Sequence, residues 1–255
     1  MSTSGVKSAE YDDKSELDPK MQRQYRSACM RLAYLAQDAP HLQSVANRIS
    51  KHMSKPTVGG LLRLKRTARF LLGHGRWAFE FVEQEQVNKL TVRADSDWAG
   101  DLADRKSVSS VHCLVGTHCL RTLVGSQATP ALSTGEAEFV ATVKAGTTAL
   151  GIRSLARDFG DERTIEIGTD SGAAKGILSR VGLGRIRHVD TGLLWIQHFV
   201  DKKIFKIVKL NGKLNSADLG TKDLAEADMR RCLRDLGVVE LTGSHPLALS
   251  CAGSG

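Results

Sequence analysis

Acidic side chains recur in this sequence where a predicted strand ends or a predicted helix begins. They are Asp95, Glu138, Asp170 and Asp218. Carboxylates gathered at close range cannot all stay ionised without a counter-charge, and divalent cations supply one. Oxygen ligands suit Mg²⁺, with Mn²⁺ as an alternative, and two such ions about 3.5–4 Å apart can activate a water and stabilise the leaving oxygen of a phosphodiester. The four acids therefore predict a two-metal hydrolytic site.

Two positions leave the choice of ligand open. In "LSTGEAEFVA" (132–141), Ser133 and Glu136 have the spacing of a helix-capping box, in which each side chain binds a backbone N–H at the helix start. Glu138 lies about 200° further round the helix and is left to face the site, but the reverse assignment of the two glutamates stays open. On the first strand, Asp97 shares the face of Asp95 and competes with it.

The elements that carry these acids predict an α/β fold with a five-stranded mixed sheet. "VNKLTVRAD", "SSVHCLVG" and "HCLRTLVG" are typical of three antiparallel strands. The predicted elements that follow are a long helix (134–159), a strand "TIEIGTD", helices over 172–179 and 189–202, a strand "KIFKIVKL", and helices near Ser216 and Ala225. Because the carboxyl ends of the first and fourth strands meet where the strand order reverses, we expect Asp95 and Asp170 to be neighbours.

Hydrophobic patterning divides the chain into four parts. Residues 1–22 are polar and predict a disordered tail, whereas apolar residues at helical spacing predict a helical connection segment over 23–86. The α/β pattern covers 87–238. Residues 239–255 are rich in small side chains and predict an unstructured extension.

The overall composition favours a polyanionic partner. The 255 residues carry 36 Lys and Arg against 28 Asp and Glu, a net charge of +8. The five cysteines are scattered without a C-x-x-C pair, which argues against a zinc ribbon or a disulfide framework and favours an intracellular setting. No apolar run approaches the ~20 residues that span a bilayer, so no membrane partner is expected.

Clustered basic residues are the candidates for contacting such a partner. They are Arg63, Lys65, Arg66 and Arg69 in "RLKRTAR", and Arg185 and Arg187 in "GRIRH". They form either a solvated helix face or a track of contacts to backbone phosphates that leads a nucleic acid toward the acids. The sequence leaves these two interpretations open.

Several blocks of the chain carry a resemblance to a known family. They are "RADSDWAGDLADRKSVSS", "ALSTGEAEFVA", "IGTDSGAAKGIL", "RIRHVDTGLLWIQHFV" and "NSADLGTKDL". In this order they resemble the ribonuclease H domain of copia-type retrotransposon Pol polyproteins, and the helical part before them resembles the segment that follows reverse transcriptase in those elements. The resemblance covers roughly residues 25–224 and departs from the family pattern at Gly135, Ser171 and Asp223.

The resemblance implies a ribonuclease H-like fold and Mg²⁺-dependent cleavage of the RNA strand of RNA–DNA hybrids. It assigns the first-strand acid to Asp95, the helix acid to Glu138, the fourth-strand acid to Asp170 and the final-helix acid to Asp218. It also implies a reverse transcriptase domain of the same polyprotein as a partner. Two other hypotheses stay open: an inactive nucleic-acid-binding remnant of such a polyprotein, and a transposase or junction nuclease on the same acidic sheet.

Overall fold

The computed structural model describes residues 13–74, 76–100, 104–182, 184 and 190–241. Three helices come first in the chain: α1 (Pro19–Leu35), α2 (Pro40–Ser50) and α3 (Val58–Gly73). Local signals set their starts, because the Asp18 side chain accepts from the first backbone N–H groups of α1, Pro40 opens α2, and the Thr57 side chain caps α3. Within the described ranges, no helix combines the length and apolar character that crossing a bilayer requires.

A buried tyrosine ties the three helices together. Tyr25 of α1 is fully buried, and its hydroxyl donates a hydrogen bond of 2.8 Å to the carbonyl of Ile49 in α2. A Cβ on Gly60 of α3 would lie 2.9 Å from that hydroxyl, so glycine lets α3 approach closely. The predicted helical segment is therefore a packed unit with its own apolar core.

The next part of the chain forms the predicted mixed sheet. Its strands are β2 (Lys89–Ser96), β3 (Val108–Val115), β4 (His118–Ser126), β5 (Thr164–Thr169) and β6 (Phe205–Lys209). The spatial order is β4-β3-β2-β5-β6, with antiparallel pairing among β2, β3 and β4 and parallel pairing of β5 with both β2 and β6. The α/β class predicted from the sequence, with a five-stranded mixed sheet flanked by helices, is confirmed.

Helices cover both faces of this sheet. On one face α4 (Thr134–Asp158) buries Phe139 against Val92, Val111 and Ile167, with α5 (Gly172–Leu178) and α6 (Trp195–Asp201) beside it. On the other face lie α7 (Asp218–Thr221) and α8 (Glu226–Asp235). Every residue of β3 is buried, because β3 is covered on both faces.

A second, two-stranded sheet was not predicted. The strand β1 (Arg76–Phe79) lies inside the segment predicted to be helical, and it pairs antiparallel with β7 (Val238–Leu241). Residues 239–241 therefore belong to a strand, so the prediction of an unstructured extension from 239 onward is wrong for them. Such short strands without clear alternation form because Trp77 and Phe79 pack against the apolar cluster of β3, α7 and α8.

Two further boundaries differ from the sequence-based expectation. Residues 19–22, assigned to the disordered tail, form the first turn of α1. The helix predicted over 189–202 is, in its described part, a 3-10 turn (Thr191–Leu193) followed by α6, because Asp190 caps the short turn and accepts from the N–H of Gly192. Residues 185–189 lie outside the described part of the chain.

Candidate metal centre

Strand register places the first two acids side by side. The parallel strands β2 and β5 pair Arg93 with Gly168, so Asp95 and Asp170, each two residues further on, reach the same level at the carboxyl ends of the strands. This is the point where the strand order reverses, because β3 lies on one side of β2 and β5 on the other. Asp95 and Asp170 are therefore neighbours, as the topology predicted.

The first turns of α4 bring in a third carboxylate. The backbone N–H of Ser96 donates to Oε1 of Glu138 over 3.2 Å, which fixes this side chain against the end of β2. Glu136 instead caps the helix: its N–H donates to the Ser133 hydroxyl over 3.2 Å, and its Oε2 accepts from the N–H of Leu132 over 2.7 Å. Glu136 therefore occupies the capping position, and Glu138 lies at the end of β2.

Asp95, Glu138 and Asp170 form one carboxylate group. Each offers an oxygen, and these oxygens all lie within 4.8 Å of one another. Asp95 is 1% exposed and Glu138 9% exposed, and the buried Oε2 of Glu138 has no hydrogen-bond partner among the described residues. Three hard oxygen donors with an unsatisfied buried acceptor fit a divalent cation.

Asp97, the alternative ligand on the first strand, makes structural hydrogen bonds instead. The carboxylate of Asp97 accepts from the backbone N–H of Val108, and the N–H of Asp97 donates to the carbonyl of Val108 over 3.1 Å. Asp97 thereby fastens the end of β2 to the start of β3. It is not part of the three-carboxylate group, so geometry favours Asp95 as the first-strand ligand.

The fourth predicted acid lies beside this group and not within it. Asp218 opens α7, and its Oδ1 accepts from the ammonium of Lys222 over 2.7 Å. The same ammonium lies 3.8 Å from Oδ1 of Asp95, while the hydroxyl of Thr221 donates to Oδ2 of Asp95. The α7 turn thus supplies an acid, a hydroxyl and a cation to the edge of the site.

Side chains that we did not single out from the sequence hold α7 in this place. Asn215 donates from Nδ2 to the carbonyl of Ala94 over 3.0 Å, and its Oδ1 accepts from the N–H of Ala217. Both Asn215 and Ser216 are fully buried. All of these side chains lie in the block "NSADLGTK". The polar residues around its single acid are the sequence feature that could have indicated their role.

Burial makes ionisation of this group unfavourable. It raises the pKa of Asp95 to about 7, although the hydrogen bond from Thr221 and the charge of Lys222 oppose the rise. It raises the pKa of Glu138 to about 8, and the charges of Asp95 and Asp170 add to the rise. Burial also raises the pKa of Asp218, against the hydrogen bond from Lys222. A bound cation would relieve this penalty.

The predicted basic residues separate into three sets. Arg63 and Arg66 line a cleft of about 410 Å³ between α2, α3 and α7, and Lys222 lines the same cleft. Lys65 and Arg69 are exposed on α3 and do not line that cleft. Arg185 and Arg187 lie outside the described residues. Of these cleft residues, Lys222 contacts Asp218 and Asp95.

Comparison with known proteins shows which proteins this chain is similar to. The chain is 25% identical over 225 residues to the retrovirus-related Pol polyprotein from transposon TNT 1-94 of Nicotiana tabacum, covering 87% of this chain and 16% of that protein. It is 29% identical over 141 residues to an uncharacterized mitochondrial protein of Arabidopsis thaliana, covering 53% of each. It is 31% identical over 118 residues to secreted RxLR effector protein 161 of Plasmopara viticola, covering 46% of this chain and 82% of the effector. The chain is therefore similar to part of a retrovirus-related Pol polyprotein, in line with the resemblance found in its sequence.

The chain is also similar to parts of solved structures. The N-terminal RNase H domain of a Mycobacterium tuberculosis protein matches 56% of this chain and 96% of its own, with a TM-score of 0.39 and 13% identity. No protein-family model matches the chain. The chain spans about half the Arabidopsis relative and about a sixth of the tobacco polyprotein.

Proposed function

We propose that this domain is a metal-dependent endoribonuclease that hydrolyses the RNA strand of RNA–DNA hybrids. The observation that carries the proposal is the convergence of Asp95, Glu138 and Asp170, from two strands and one helix, to within 4.8 Å. The copia-type resemblance and the Pol polyprotein relatives support the substrate class. A reverse transcriptase domain of the same polyprotein is the proposed partner that would deliver the hybrid.

Different residues of the chain would bind the two metal ions. Asp95, Glu138 and Asp170 would bind Mg²⁺, or Mn²⁺ in its place, and Asp218 would contribute to a second ion. When bound, the ions supply a nucleophile from water and neutralise the charge that develops on the phosphodiester. Thr221 and the N–H of Ser96 orient the carboxylates of Asp95 and Glu138 through their hydrogen bonds.

Basic residues would hold the substrate against these acids. Arg63 and Arg66 in the cleft beside Lys222 would bind backbone phosphates, and such contacts position a duplex without reading its bases. Preference for RNA would come from contacts to 2′-hydroxyls, which a DNA strand lacks.

Cleavage of a labelled hybrid tests the proposal. Purified protein is incubated with an RNA–DNA hybrid in Mg²⁺, and with single-stranded RNA, duplex RNA and duplex DNA of the same sequence. We expect products from the RNA strand of the hybrid. Glu138→Gln and Asp170→Asn should each lower the rate by at least about a hundredfold, because each removes a ligand charge.

Glu136→Gln is the matched control. It lies two residues from Glu138, and its amide keeps an acceptor for the N–H of Leu132, so the rate should stay near that of the wild type. Products of equal yield from the wild type and Asp170→Asn would reject the proposal, as would the absence of products from the wild type. Cleavage of duplex DNA alone would favour a transposase or junction nuclease.

A further inference from the structure

Lys222 makes the closest contact of a cation with the acidic site in the described part of the chain. Its ammonium lies 2.7 Å from Oδ1 of Asp218 and 3.8 Å from Oδ1 of Asp95. The side chain is 46% exposed, whereas those of Asp218 and Asp95 are 11% and 2% exposed. The Lys222 side chain therefore extends from the surface to two buried carboxylates, one in β2 and one in α7.

We propose that Lys222 is a tethered cation that competes with a divalent metal ion for Asp218. The inference rests on the proposed function, since it takes the acids to be metal ligands. Asp95, Glu138 and Asp170 gather their oxygens without the lysine, so one ion can bind there. The ammonium of Lys222 contacts Oδ1 of both Asp218 and Asp95, so a second divalent ion that bridges these two oxygens would have to displace it.

An adjacent cleft gives the Lys222 side chain room to move away from Asp218. Lys222 lines the cleft that also contains Arg48, Arg63 and Arg66, and its four-carbon stem is flexible. A backbone phosphate held in this cleft would offer the ammonium another acceptor. Uptake of the second ion and binding of the nucleic acid would then favour each other.

Calorimetric titration of the full chain with Mn²⁺ alone tests the competition without any reaction. The variants are Lys222→Gln, Lys222→Arg, Asp218→Asn and the double variant that combines Lys222→Gln with Asp218→Asn. Arg48→Gln is the charge-matched control, because it removes a positive charge from the same cleft at a side chain that pairs with Asp223 and not with Asp218. Circular dichroism and thermal unfolding establish that each variant is folded.

We expect Lys222→Gln to bind Mn²⁺ at least about tenfold more tightly or to gain a second binding event, because an opposing charge in contact with a ligand is lost. Lys222→Arg should stay within about threefold of the wild type, and Arg48→Gln should do the same, because neither frees Asp218. The gain should vanish when Asp218→Asn is present, since the lysine then has no ligand to withhold.

Three results would overturn the proposal: unchanged binding in Lys222→Gln, an equal gain in Arg48→Gln, or a gain that persists with Asp218→Asn. The absence of any Mn²⁺ binding by both the wild type and Lys222→Gln would overturn it as well. Failure of the proposed function can be distinguished from failure of this inference. A protein that cleaves no hybrid can still bind Mn²⁺ more tightly when Lys222 is replaced and Asp218 is retained.

Discussion

Gly220 of α7 lies so close to Ser110 of β3 that a Cβ at position 220 would overlap with the serine Oγ and come within 2.5 Å of Cγ2 of Val124. No real side chain tolerates such distances, so the backbone of α7 would have to move away from the sheet. Asp218 and Thr221 are part of the same turn. The absence of a side chain at Gly220 therefore sets where this acid and this hydroxyl stand relative to Asp95.

Gly220→Ala should weaken both the fold and the site. We expect a loss of about 1–3 kcal/mol in the free energy of unfolding, because overpacking displaces α7. The control is Gly151→Ala in α4, where nothing lies within 4 Å of the added Cβ and a gain of up to ~1 kcal/mol is expected. Denaturant unfolding and Mn²⁺ titration measure the two effects. A Gly220→Ala protein as stable as the wild type would contradict the close packing.

The stability of the metal-free domain should fall as the pH rises. The pKa of Asp95 is raised to about 7 and that of Glu138 to about 8 in the folded state, from ordinary values of 3.8 and 4.5. Between about pH 4 and pH 8 the folded state therefore holds more protons than the unfolded state, so the free energy of unfolding decreases with pH by several kcal/mol and levels off above this window.

Unfolding by urea in EDTA across pH 4.5–8.5 measures this effect, and Mg²⁺ should restore more stability at pH 8 than at pH 5. Glu138→Gln removes one of the two groups and should make the pH profile less steep. A metal-free stability that rises steadily from pH 5 to pH 8 would show that these carboxyls ionise without penalty.

Thr221 should act on the metal site through Asp95. Thr221→Val keeps the shape of the side chain but removes the hydroxyl that donates to Oδ2 of Asp95. We expect about a tenfold loss of divalent-cation affinity, the size usual for residues that orient metal ligands. Thr221→Ser retains the donor and should remain within about threefold of the wild type. Equal affinities in Thr221→Val and Thr221→Ser would remove this role.

The placement of three acids could be foreseen from local patterns. Parallel pairing brings Asp95 and Asp170 to one level, and the Ser133–Glu136 cap turns Glu138 toward the crevice. Gly135, a departure from the family pattern, is also explained: a Cβ there would lie 2.9 Å from the Cβ of Ala173, so glycine lets α4 approach α5. These features depend on short stretches of chain or on strand period.

Other features depend on contacts that short stretches do not encode. The contact of Lys222 with Asp95 depends on how α7 packs on the sheet, and β1 pairs with a strand far along the chain, Arg76 opposite Leu241. One local signal was present and not used. An acidic N-cap residue followed by proline, as in Asp18-Pro19, is a typical helix start. This pair indicates that α1 begins before residue 23.

The pairing of β1 with β7 predicts where the ribonuclease H part can be separated from the helical segment. Trp77 and Phe79 of β1 pack against an apolar cluster that includes the fully buried Leu233 and Leu236. A fragment that starts at residue 87, the boundary predicted from the sequence, exposes this cluster, and the loss of each partly buried aromatic side chain costs about 1–2 kcal/mol. A fragment that starts at residue 75 keeps β1. We expect the longer fragment to show a cooperative thermal transition and the shorter one to bind a hydrophobic dye and unfold at least about 10 °C lower. Equal melting temperatures for the two fragments would mean that β1 contributes little and that residue 87 is a sufficient boundary.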